Sequence, residues 1–494
     1  MLTVTIFLPL VAAGVLLTMR EASEARQRAV AVTAAAIPFV LLLVAWARFE
    51  GTGGFELVEQ ATWIPSFGVS YKVGLDGISL VLAVMSALLF AGSAAYPVDL
   101  KDRGYEYYAW LLFLETACLG VFLALDLFLF YVFFDLTLVG MYFLIAVWGH
   151  GDARRAALKF FIYTLTGTLV MLLAILGLVL VTDPLTFDIP TLIATTPLDG
   201  DGLRASLVFL GFAVGLGIKT PLVPVHTWLP PAHVDAPAPA STILAGVLLK
   251  LGTYAYVRIL LQMMPDTFAR YALPVAIIAV VTIVYGALVA MGQTHLKRRI
   301  AYTSVNHMGY AILGIAVAAA AAGAGDAAAQ RLALTGAVVE MVAHGLITGV
   351  LFLLSGSIYA RAQDYELGSF GGLAERSPRL AGATIVAAFA SLGLPGLAGF
   401  VAEFQIFVGT FAVFPWLAAI ALLGGVVVTA ALFLQLLQQL FFGALPTRWS
   451  SWRDLAGGET AVLAILLAPV VAIGVLPRWL LEPIDTATRL IVGG

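Results

Sequence analysis

Apolar stretches long enough to cross a lipid bilayer recur along the whole chain. A hydrocarbon core about 30 Å thick needs roughly 20 consecutive apolar residues in a helix. The segment LFLFYVFFDLTLVGMYFLIAVWG, residues 127–149, is one such stretch. Of the 494 residues, 61% are hydrophobic and 11% are charged, whereas about 25% of the residues in a soluble domain are charged. The chain is therefore predicted to be an integral membrane protein built from helices.

The order of apolar runs and polar interruptions predicts about fourteen transmembrane helices. The first run, MLTVTIFLPLVAAGVLLTM, lacks the basic residues and cleavage site of a signal peptide and is interpreted as the first span. With the N-terminus outside, sixteen Lys and Arg residues, including Lys101 and Lys297, fall in inner loops and eight, including Arg258, in outer loops. This bias follows the positive-inside rule and predicts that both termini lie outside.

Composition excludes several kinds of chemistry. Cys118 is the single cysteine, so the chain can form no internal disulfide and cannot hold an iron–sulfur cluster with four of its own cysteines. The net charge of −3 is spread over predicted loops and does not indicate nucleic-acid binding. No phosphate-binding loop or metal motif occurs. Electron chemistry is therefore expected in other chains. The longest polar stretches, near 48–75 and 182–204, are predicted to be loops.

Charged residues inside the apolar segments are the main functional signal. Each costs about 2.5–3.5 kcal/mol at mid-membrane on insertion scales, so its presence needs a reason. Four lie deep in predicted spans: Asp135, Lys219, Lys250 and Glu403. Glu115 and Glu340 are less certainly placed, and a structural ion pair between helices explains them equally well. For the four deeper residues, a proton or ion pathway is the favoured interpretation.

Two predicted spans are interrupted beside such charges. In GIKTPLVPVHTWLPPAHVDAPAPAS, Lys219 is followed by six prolines, which prevent an undisturbed α-helix. In SLGLPGLAGFVAEF, Gly393, Pro395 and further glycines precede Glu403. Irregular backbone is tolerated at membrane depth only where it is buried in protein or lines water. Two broken helices with adjacent ionisable residues therefore predict an ion pathway near the membrane midplane.

Histidines extend this set of titratable residues. Four lie beside an interruption or near a span interior: His226, His233, His307 and His344. A histidine among apolar neighbours is usually a packing residue, but polar residues nearby, such as Asn306, leave a proton relay equally open. His150 and His295 fall in predicted loops and are expected to be solvated.

Several motifs occur together in this chain: GLDGISL, LALDLFLFYVFFD, MYFLIAVWG, KFFIYTLTGTLVML, IKTPLVPVHTWLP, ILAGVLLKLGTYAYVRI, TSVNHMGY, HGLITGVLFLLSG and GLPGLAGFVAEF. In this combination the chain resembles the subunit M family of proton-pumping NADH-quinone oxidoreductase, respiratory complex I, over nearly its whole length. The resemblance implies an all-α fold of fourteen transmembrane helices with two inverted five-helix repeats, each containing a broken helix. It divides the chain into helices 1–3 (residues 1–105), the first repeat (106–265), the second repeat (266–442) and helix 14 with its tail (443–494).

The resemblance also implies an activity and a setting. The chain is expected to translocate protons as a subunit of a translocase, coupled to quinone reduction in other subunits, without redox chemistry of its own. No cofactor is expected in this chain; NADH, FMN, iron–sulfur clusters and quinone are expected in partner subunits. Expected partners are other membrane subunits similar to subunits L and N, the lipid bilayer and protons, but no nucleic acid. The expected location is the bacterial inner (plasma) membrane, with both termini on the periplasmic side.

Residue by residue, the resemblance assigns proton translocation to the four deep charges. Asp135 stands where the family usually has glutamate, so its pairing with Lys219 is expected to be longer or bridged by water. Lys219 and Lys250 match lysines of the seventh and eighth helices, and Glu403 matches the glutamate of the broken twelfth. A second departure is LPPAHVDAP, where the family often has a polar residue in place of Pro231 and glutamate in place of Asp235.

Two other functions stay open from the sequence. The first is a subunit of a multisubunit cation/proton antiporter. The related antiporters generally carry lysine at the position of Glu403, which argues against this alternative. The second is a spacer that holds other membrane subunits and moves no protons. Proton stoichiometry, the use of sodium and the electron donor of the complex are not determined by the sequence.

Overall fold

The computed structural model describes residues 1–98, 100 and 103–492. This part of the chain is predominantly helical, and the prediction of an all-α membrane protein is confirmed. Lys101, which contributed to the predicted charge bias, lies outside the described residues. Within the described ranges the chain forms helices of very different lengths and one two-stranded antiparallel sheet.

The regular elements follow the chain in this order: α1 Leu2–Thr18, α2 Glu24–Arg48, β1 Glu56–Ile64, β2 Val69–Leu75, α3 Gly77–Ala95, α4 Gly104–Leu123, α5 Leu127–Trp148, α6 Ala153–Val179, α7 Ile189–Thr195, α8 Leu203–Lys219, α9 Leu229–Asp235, α10 Ala238–Leu261, α11 Pro265–Met291, α12 Leu296–Ala324, α13 Ala327–Ala362, α14 Pro378–Ser391, α15 Ala398–Val413, α16 Pro415–Phe441, α17 Gly457–Val475 and α18 Arg478–Val492. Short 3₁₀ turns occur at Pro65–Phe67, Leu367–Ser369, Leu373–Glu375 and Thr447–Trp449.

Eleven of the described helices are long and apolar enough to cross a membrane by themselves. Helices α1 and α15 are apolar but shorter. The predicted total of about fourteen spans requires α1, the pair α8 and α9, and the pair α14 and α15 to cross as well, and it stays a prediction. The helices that are most enclosed by protein are α10 and α13, whose most apolar windows are 100% buried. These two helices form the centre of the bundle.

The segment near 48–75 contains a β-hairpin instead of the predicted loop. Strands β1 and β2 pair antiparallel, with Glu59 opposite Val73 and Ala61 opposite Tyr71. Between the strands Gly68 adopts φ 65°, a left-handed conformation that glycine adopts without strain. Most of β1 is exposed, so the alternation of buried and exposed residues that normally indicates a strand is weak here.

The hairpin closes one end of the bundle, here called the hairpin end. Glu59 accepts hydrogen bonds from the backbone N–H groups of Leu2 and Thr3, at 2.8 and 3.0 Å, in the first turn of α1. Strand β2 also pairs with the link between α4 and α5, where the Leu125 N–H donates to the Lys72 carbonyl at 2.8 Å. Because these contacts join α1, α4 and α5 through one sheet, the hairpin fixes the relative positions of their ends.

A buried ion pair also lies at the hairpin end. Arg258, predicted in an outer loop, is instead buried within α10, and its Nη2 lies 2.7 Å from Asp76 Oδ2. The guanidinium also donates to Tyr254 Oη at 3.2 Å and Gln262 Oε1 at 2.9 Å. Asp76 caps α3 through Ser79. The sequence predicted a loop position because the neighbours of Arg258 resemble a helix end. The residue that pairs with it, Asp76, lies 182 residues away in the chain.

We expect Arg258→Met to destabilise the protein strongly. The substitution leaves the Asp76 carboxylate buried without its cation, and breaking such a pair costs about 3–5 kcal/mol. The thermal transition of the purified protein in detergent should fall by several degrees. Arg298→Met, at an exposed position of α12, serves as the control and should leave the transition unchanged. Equal transitions for the two variants would contradict a stabilising role of the Arg258–Asp76 pair.

The opposite end of the bundle is held by two basic residues, of which Arg361 is half-buried and Lys297 is fully buried. Arg361 at the end of α13 makes two hydrogen bonds to the Glu459 carboxylate on α17, at 2.6 and 3.0 Å. Lys297, predicted in an inner loop, is fully buried in the first turn of α12 and donates to the Ala236 carbonyl. Because Ala236 is the C-terminal cap of α9, the lysine supplies a hydrogen-bond donor where the helix carbonyls are unpaired.

Candidate functional site

The first predicted interruption is present between α8 and α9. Helix α8 ends at Lys219, and the chain is irregular until α9 begins at Leu229. The Trp228 Nε1–H donates to the Ile218 carbonyl at 2.9 Å, and the Val223 N–H donates to Thr282 Oγ1 at 3.1 Å. Side chains thus pair backbone groups that the broken helix leaves free, which makes the break tolerable at membrane depth.

Lys219 is the last residue of α8 and is buried against α5. Its Nζ donates to Thr137 Oγ1 at 3.0 Å and lies 5.0 Å from the centre of the Phe134 ring. The end of a helix carries partial negative charge on its unpaired carbonyls, which stabilises a cation there. The ammonium therefore directly contacts a hydroxyl, a ring face and a helix terminus.

Asp135 lies on α5, close to Thr137, but it is not directly paired with Lys219. Its Oδ1 lies 2.9 Å from Thr168 Oγ1 of α6, and the side chain is only half-buried. Asp135 and Lys219 are both described, and no nitrogen–oxygen contact within 4.0 Å joins them. This geometry agrees with the longer separation expected for the shorter aspartate side chain.

Lys250 occupies the centre of the bundle on α10 and is fully buried. Its Nζ lies 2.6 Å from the Ala245 carbonyl oxygen and 2.6 Å from His344 Nδ1 of α13. The residues just before it, Leu244–Leu248, form a π-helical turn. Such turns shift the backbone pairing and occur frequently at functional sites. Here the shift allows the lysine to reach a carbonyl five positions earlier and a histidine on another helix.

His307 of α12 lies between this centre and the second interruption. Its ring centre lies 5.2 Å from that of His344. Nδ1 lies 3.0 Å from Glu340 Oε1, and Nε2 lies 3.0 Å from Ser391 Oγ. Glu340 is buried and contacts a titratable side chain on another helix. Both ring nitrogens of His307 are therefore hydrogen-bonded to polar side chains.

Glu403 lies against the second interruption, between α14 and α15. Ser391 ends α14, and Gly393 and Gly396 follow with φ values of 76° and 92°. These left-handed conformations favour glycine. A methyl group on Gly393 would lie 2.4 Å from Glu403 Oε2, so a larger residue there would displace the carboxyl group. The break and the buried carboxyl group of α15 are thus one structural unit.

The other histidines lie outside these direct contacts. His233 is buried and stacks on Phe352, with ring centres 4.5 Å apart, and neither ring nitrogen has a hydrogen-bond partner among the described residues. His226 packs against the Tyr285 ring at 5.0 Å. Neither is hydrogen-bonded to Lys250 or His344 within the described part of the chain.

The prediction that His150 and His295 are solvated is wrong. Both side chains are half-buried, and the His150 ring stacks on Tyr359 and Tyr365, with centres 5.1 and 5.9 Å apart. Burial, followed by the nearby charges of Lys297 and His295, lowers the pKa of His150 to about 4. His150 is therefore neutral at physiological pH, which suits its place in an aromatic stack.

Sequence reasoning missed the hydroxyl groups that contact the charged residues. Thr137, Thr168 and Ser391 are neutral and common in apolar helices, so nothing in their sequence context marks them. A signal was available for Ser391, which stands immediately before the predicted break. Glu115, which the sequence placed in a span with less certainty, is completely buried. Neither of its carboxyl oxygens is hydrogen-bonded to a described residue.

The arrangement favours proton transfer. Lys250 with His344, and Glu340 with His307 and Ser391, form two directly hydrogen-bonded groups of titratable or hydroxylic side chains. Lys219 and Glu403 stand at the two helix breaks. The gaps between these groups exceed hydrogen-bond length, so a continuous path requires water between them. Among residues 1–98, 100 and 103–492, no group of three or more His, Cys, Asp or Glu side chains is placed to hold a metal ion.

Comparison with known proteins defines the class of this fold and site. A family model described as "NADH:quinone oxidoreductase/Mrp antiporter, TM" matches residues 124–429. The chain belongs to this family of membrane subunits. The match includes all eight residues predicted for the site, from Asp135 to Glu403.

Particular relatives cover the whole chain. The chain is 37% identical to NADH-quinone oxidoreductase subunit M of Rhodobacter capsulatus, over 100% of this chain and 96% of the relative. It is 36% identical to NAD(P)H-quinone oxidoreductase chain 4 1 of Picosynechococcus sp., over 99% and 91%. A chain of respiratory complex I from Thermus thermophilus with bound NADH aligns with a TM-score of 0.88 and 32% identity over 100% of both chains. A chain of the Mrp complex from Dietzia sp. shares the fold, with a TM-score of 0.87 and 22% identity over 99% of this chain and 97% of that chain.

Proposed function

We propose that this chain is the subunit M of a respiratory NADH:quinone oxidoreductase and translocates protons through Asp135, Lys219, Lys250 and Glu403. The observation that carries this proposal is the set of buried titratable groups between two helix breaks. Placing such groups in a membrane interior is costly, and function is the usual reason that they are retained. The relatives named above belong to the same kind of complex.

The proposed route begins at Asp135 and Lys219, which act as a switching pair beneath an inner half-channel. Protonation of Asp135 weakens its attraction for the Lys219 ammonium, which then passes its proton towards Lys250. Lys250 and the histidine-rich region carry the proton across the midplane. Glu403 releases it towards the outside. Water links the steps, since the gaps between these groups exceed hydrogen-bond length.

His307 and His344 are proposed as relay residues because they contact this route directly. His226 and His233 are proposed to act through water, because they are not hydrogen-bonded to Lys250 or His344 among the described residues. The two helix breaks support the proposed division into helices 1–3 (1–105), a first repeat (106–265), an inverted second repeat (266–442) and a final span with its tail (443–494).

The proposed setting is the bacterial inner membrane, with both termini on the periplasmic side, as the charge bias predicts. NADH, FMN, iron–sulfur clusters and quinone are proposed to bind in partner subunits. Subunits similar to L and N are the proposed membrane partners. The half-buried carboxyl group of Asp135 supports such a neighbour, since a charge at this depth is unfavourable in lipid and requires cover by protein or water.

Glu403→Gln tests whether the chain conducts protons or only holds its neighbours in place. The amide keeps the size of the side chain but cannot take up a proton at physiological pH. We expect the reconstituted complex to oxidise NADH with artificial acceptors normally, while the ratio of protons moved to electrons transferred falls several-fold. Thr410→Val, on the same helix and with its hydroxyl bonded to the Ile406 carbonyl among the described residues, is the control. A spacer would tolerate Glu403→Gln without loss of pumping.

A subunit of a cation/proton antiporter is the alternative, because the shared fold includes the Mrp complex. Glu403 favours the oxidoreductase, because the related antiporters generally have lysine there. Neighbouring genes distinguish the two functions. Genes for iron–sulfur and flavin subunits would support the oxidoreductase, and an operon of purely hydrophobic subunits would support the antiporter.

A further inference from the structure

His307 is held by polar groups on both sides of its ring. Nδ1 contacts Glu340 Oε1 of α13, and Nε2 contacts Ser391 Oγ of α14, each at 3.0 Å. The side chains of His307 and Glu340 are 4% and 1% exposed. We propose that Glu340 is a positioning residue that stabilises an excess proton on His307, so that Glu340, His307 and Ser391 store a proton between Lys250 and Glu403. This inference rests on the proposed function and adds a residue to it.

The two hydrogen bonds allow His307 to change charge without moving. In the neutral ring, Nδ1–H donates to the Glu340 carboxylate and Nε2 accepts from the Ser391 hydroxyl. In the protonated ring both nitrogens donate, and the Ser391 hydroxyl rotates so that its oxygen accepts. A water molecule that has received the proton from the Lys250 side donates it to Nε2, so that an O–H bond breaks as the Nε2–H bond forms; onward transfer breaks the Nε2–H bond and forms an O–H bond on the next acceptor. No electron is exchanged.

The negative charge of Glu340 favours the protonated state. A buried imidazolium without a counter-ion is strongly disfavoured, and an opposite charge within about 4–6 Å offsets that penalty. Four titratable groups on the elements packed around this site influence its charge: Lys250 of α10, Tyr310 of α12, His344 of α13 and Glu403 of α15. Lys250 opposes protonation of His307, so Glu340 provides the compensating negative charge.

The group formed by Glu340, His307 and Ser391 also lies next to the second helix break. Ser391 precedes Gly393 by two residues, and the Gly393 backbone packs against the Glu403 carboxyl group. A proton released from His307 at Nε2 therefore leaves on the side of the ring that faces Ser391 and the break. The His344 ring, whose Nδ1 lies 2.6 Å from Lys250 Nζ, packs against the His307 ring with the ring centres 5.2 Å apart. We infer the order from Lys250 to His307 to Glu403 from these neighbours, with water bridging the gaps between them.

The test uses the whole reconstituted complex with Glu340→Gln. We expect normal assembly and normal electron transfer to artificial acceptors, but a several-fold lower ratio of protons to electrons. The pH dependence of pumping should also change, since a protonated His307 loses the neighbouring negative charge that offsets it. Glu340→Asp, which keeps the charge, should restore most pumping. Thr348→Val, on the same helix and without a described hydrogen-bond partner, is the control and should match the wild type.

A second variant separates the hydroxyl from the charge. Ser391→Ala should lower the ratio of protons to electrons without moving its pH profile, because Glu340 is still present. If Glu340→Gln prevents assembly, Ser391→Ala with an unchanged ratio would overturn the proposal. If Glu340→Gln assembles and pumps normally at every pH while Lys219→Ala does not pump, Glu340 has only a structural role and the proposed function stands. Normal pumping by both Glu340→Gln and Lys219→Ala would overturn the proposed function itself.

Discussion

Replacing Lys219 by alanine is expected to abolish most proton pumping while electron transfer continues. The substitution removes the ammonium at the end of α8 and leaves Thr137 Oγ1 without its donor. A positioned acid–base group typically contributes about 10²–10⁴-fold to proton transfer. The ratio of protons moved to electrons transferred should therefore fall by about tenfold or more, measured in proteoliposomes that contain the assembled complex.

The control for this experiment lies on the same helix. Ser206→Ala changes a buried hydroxyl near the other end of α8 and should leave pumping unchanged. Lys219→Arg keeps a cation but cannot release its proton at physiological pH, so it should assemble normally and pump poorly. An unchanged ratio in Lys219→Ala would refute the assignment of this residue to the route, and with it the proposed function.

The breaks and the buried charges were predictable because each has a strong physical signature. Six prolines after Lys219 cannot continue an α-helix, and a charge such as Lys250 in an apolar run has a high insertion cost. Both signals are local in sequence. The family resemblance then assigned them a common role, which the contacts between α10, α12 and α13 now support from geometry.

The contacts that join these residues were not predictable in the same way. Ser391 and His307 are 84 residues apart, and a serine at the end of a helix has no unusual cost. The ion pair of Arg258 with Asp76 spans 182 residues, so its buried position depends on tertiary packing. The hairpin was missed because β1 is mostly exposed, and the segment therefore resembles a loop. Local patterns identify residues that need partners, whereas the fold identifies which partners they have.

Lys250→Ala should interrupt the route at the centre of the bundle and reduce pumping by about tenfold or more, for the same acid–base reason. It removes the group within 2.6 Å of His344 Nδ1 and of the Ala245 carbonyl oxygen.

The double variant of Lys250→Ala with His344→Ala should pump no worse than Lys250→Ala alone, because residues in direct contact that act as one unit have non-additive effects. Thr253→Val, whose hydroxyl bonds to the Lys250 carbonyl on the same helix, controls for a change in the packing of α10. The measurement is again the ratio of protons to electrons in the reconstituted complex. Full pumping by Lys250→Ala would mean that protons bypass the centre of the bundle, and the line from Lys219 to Glu403 would then not be the conducting path.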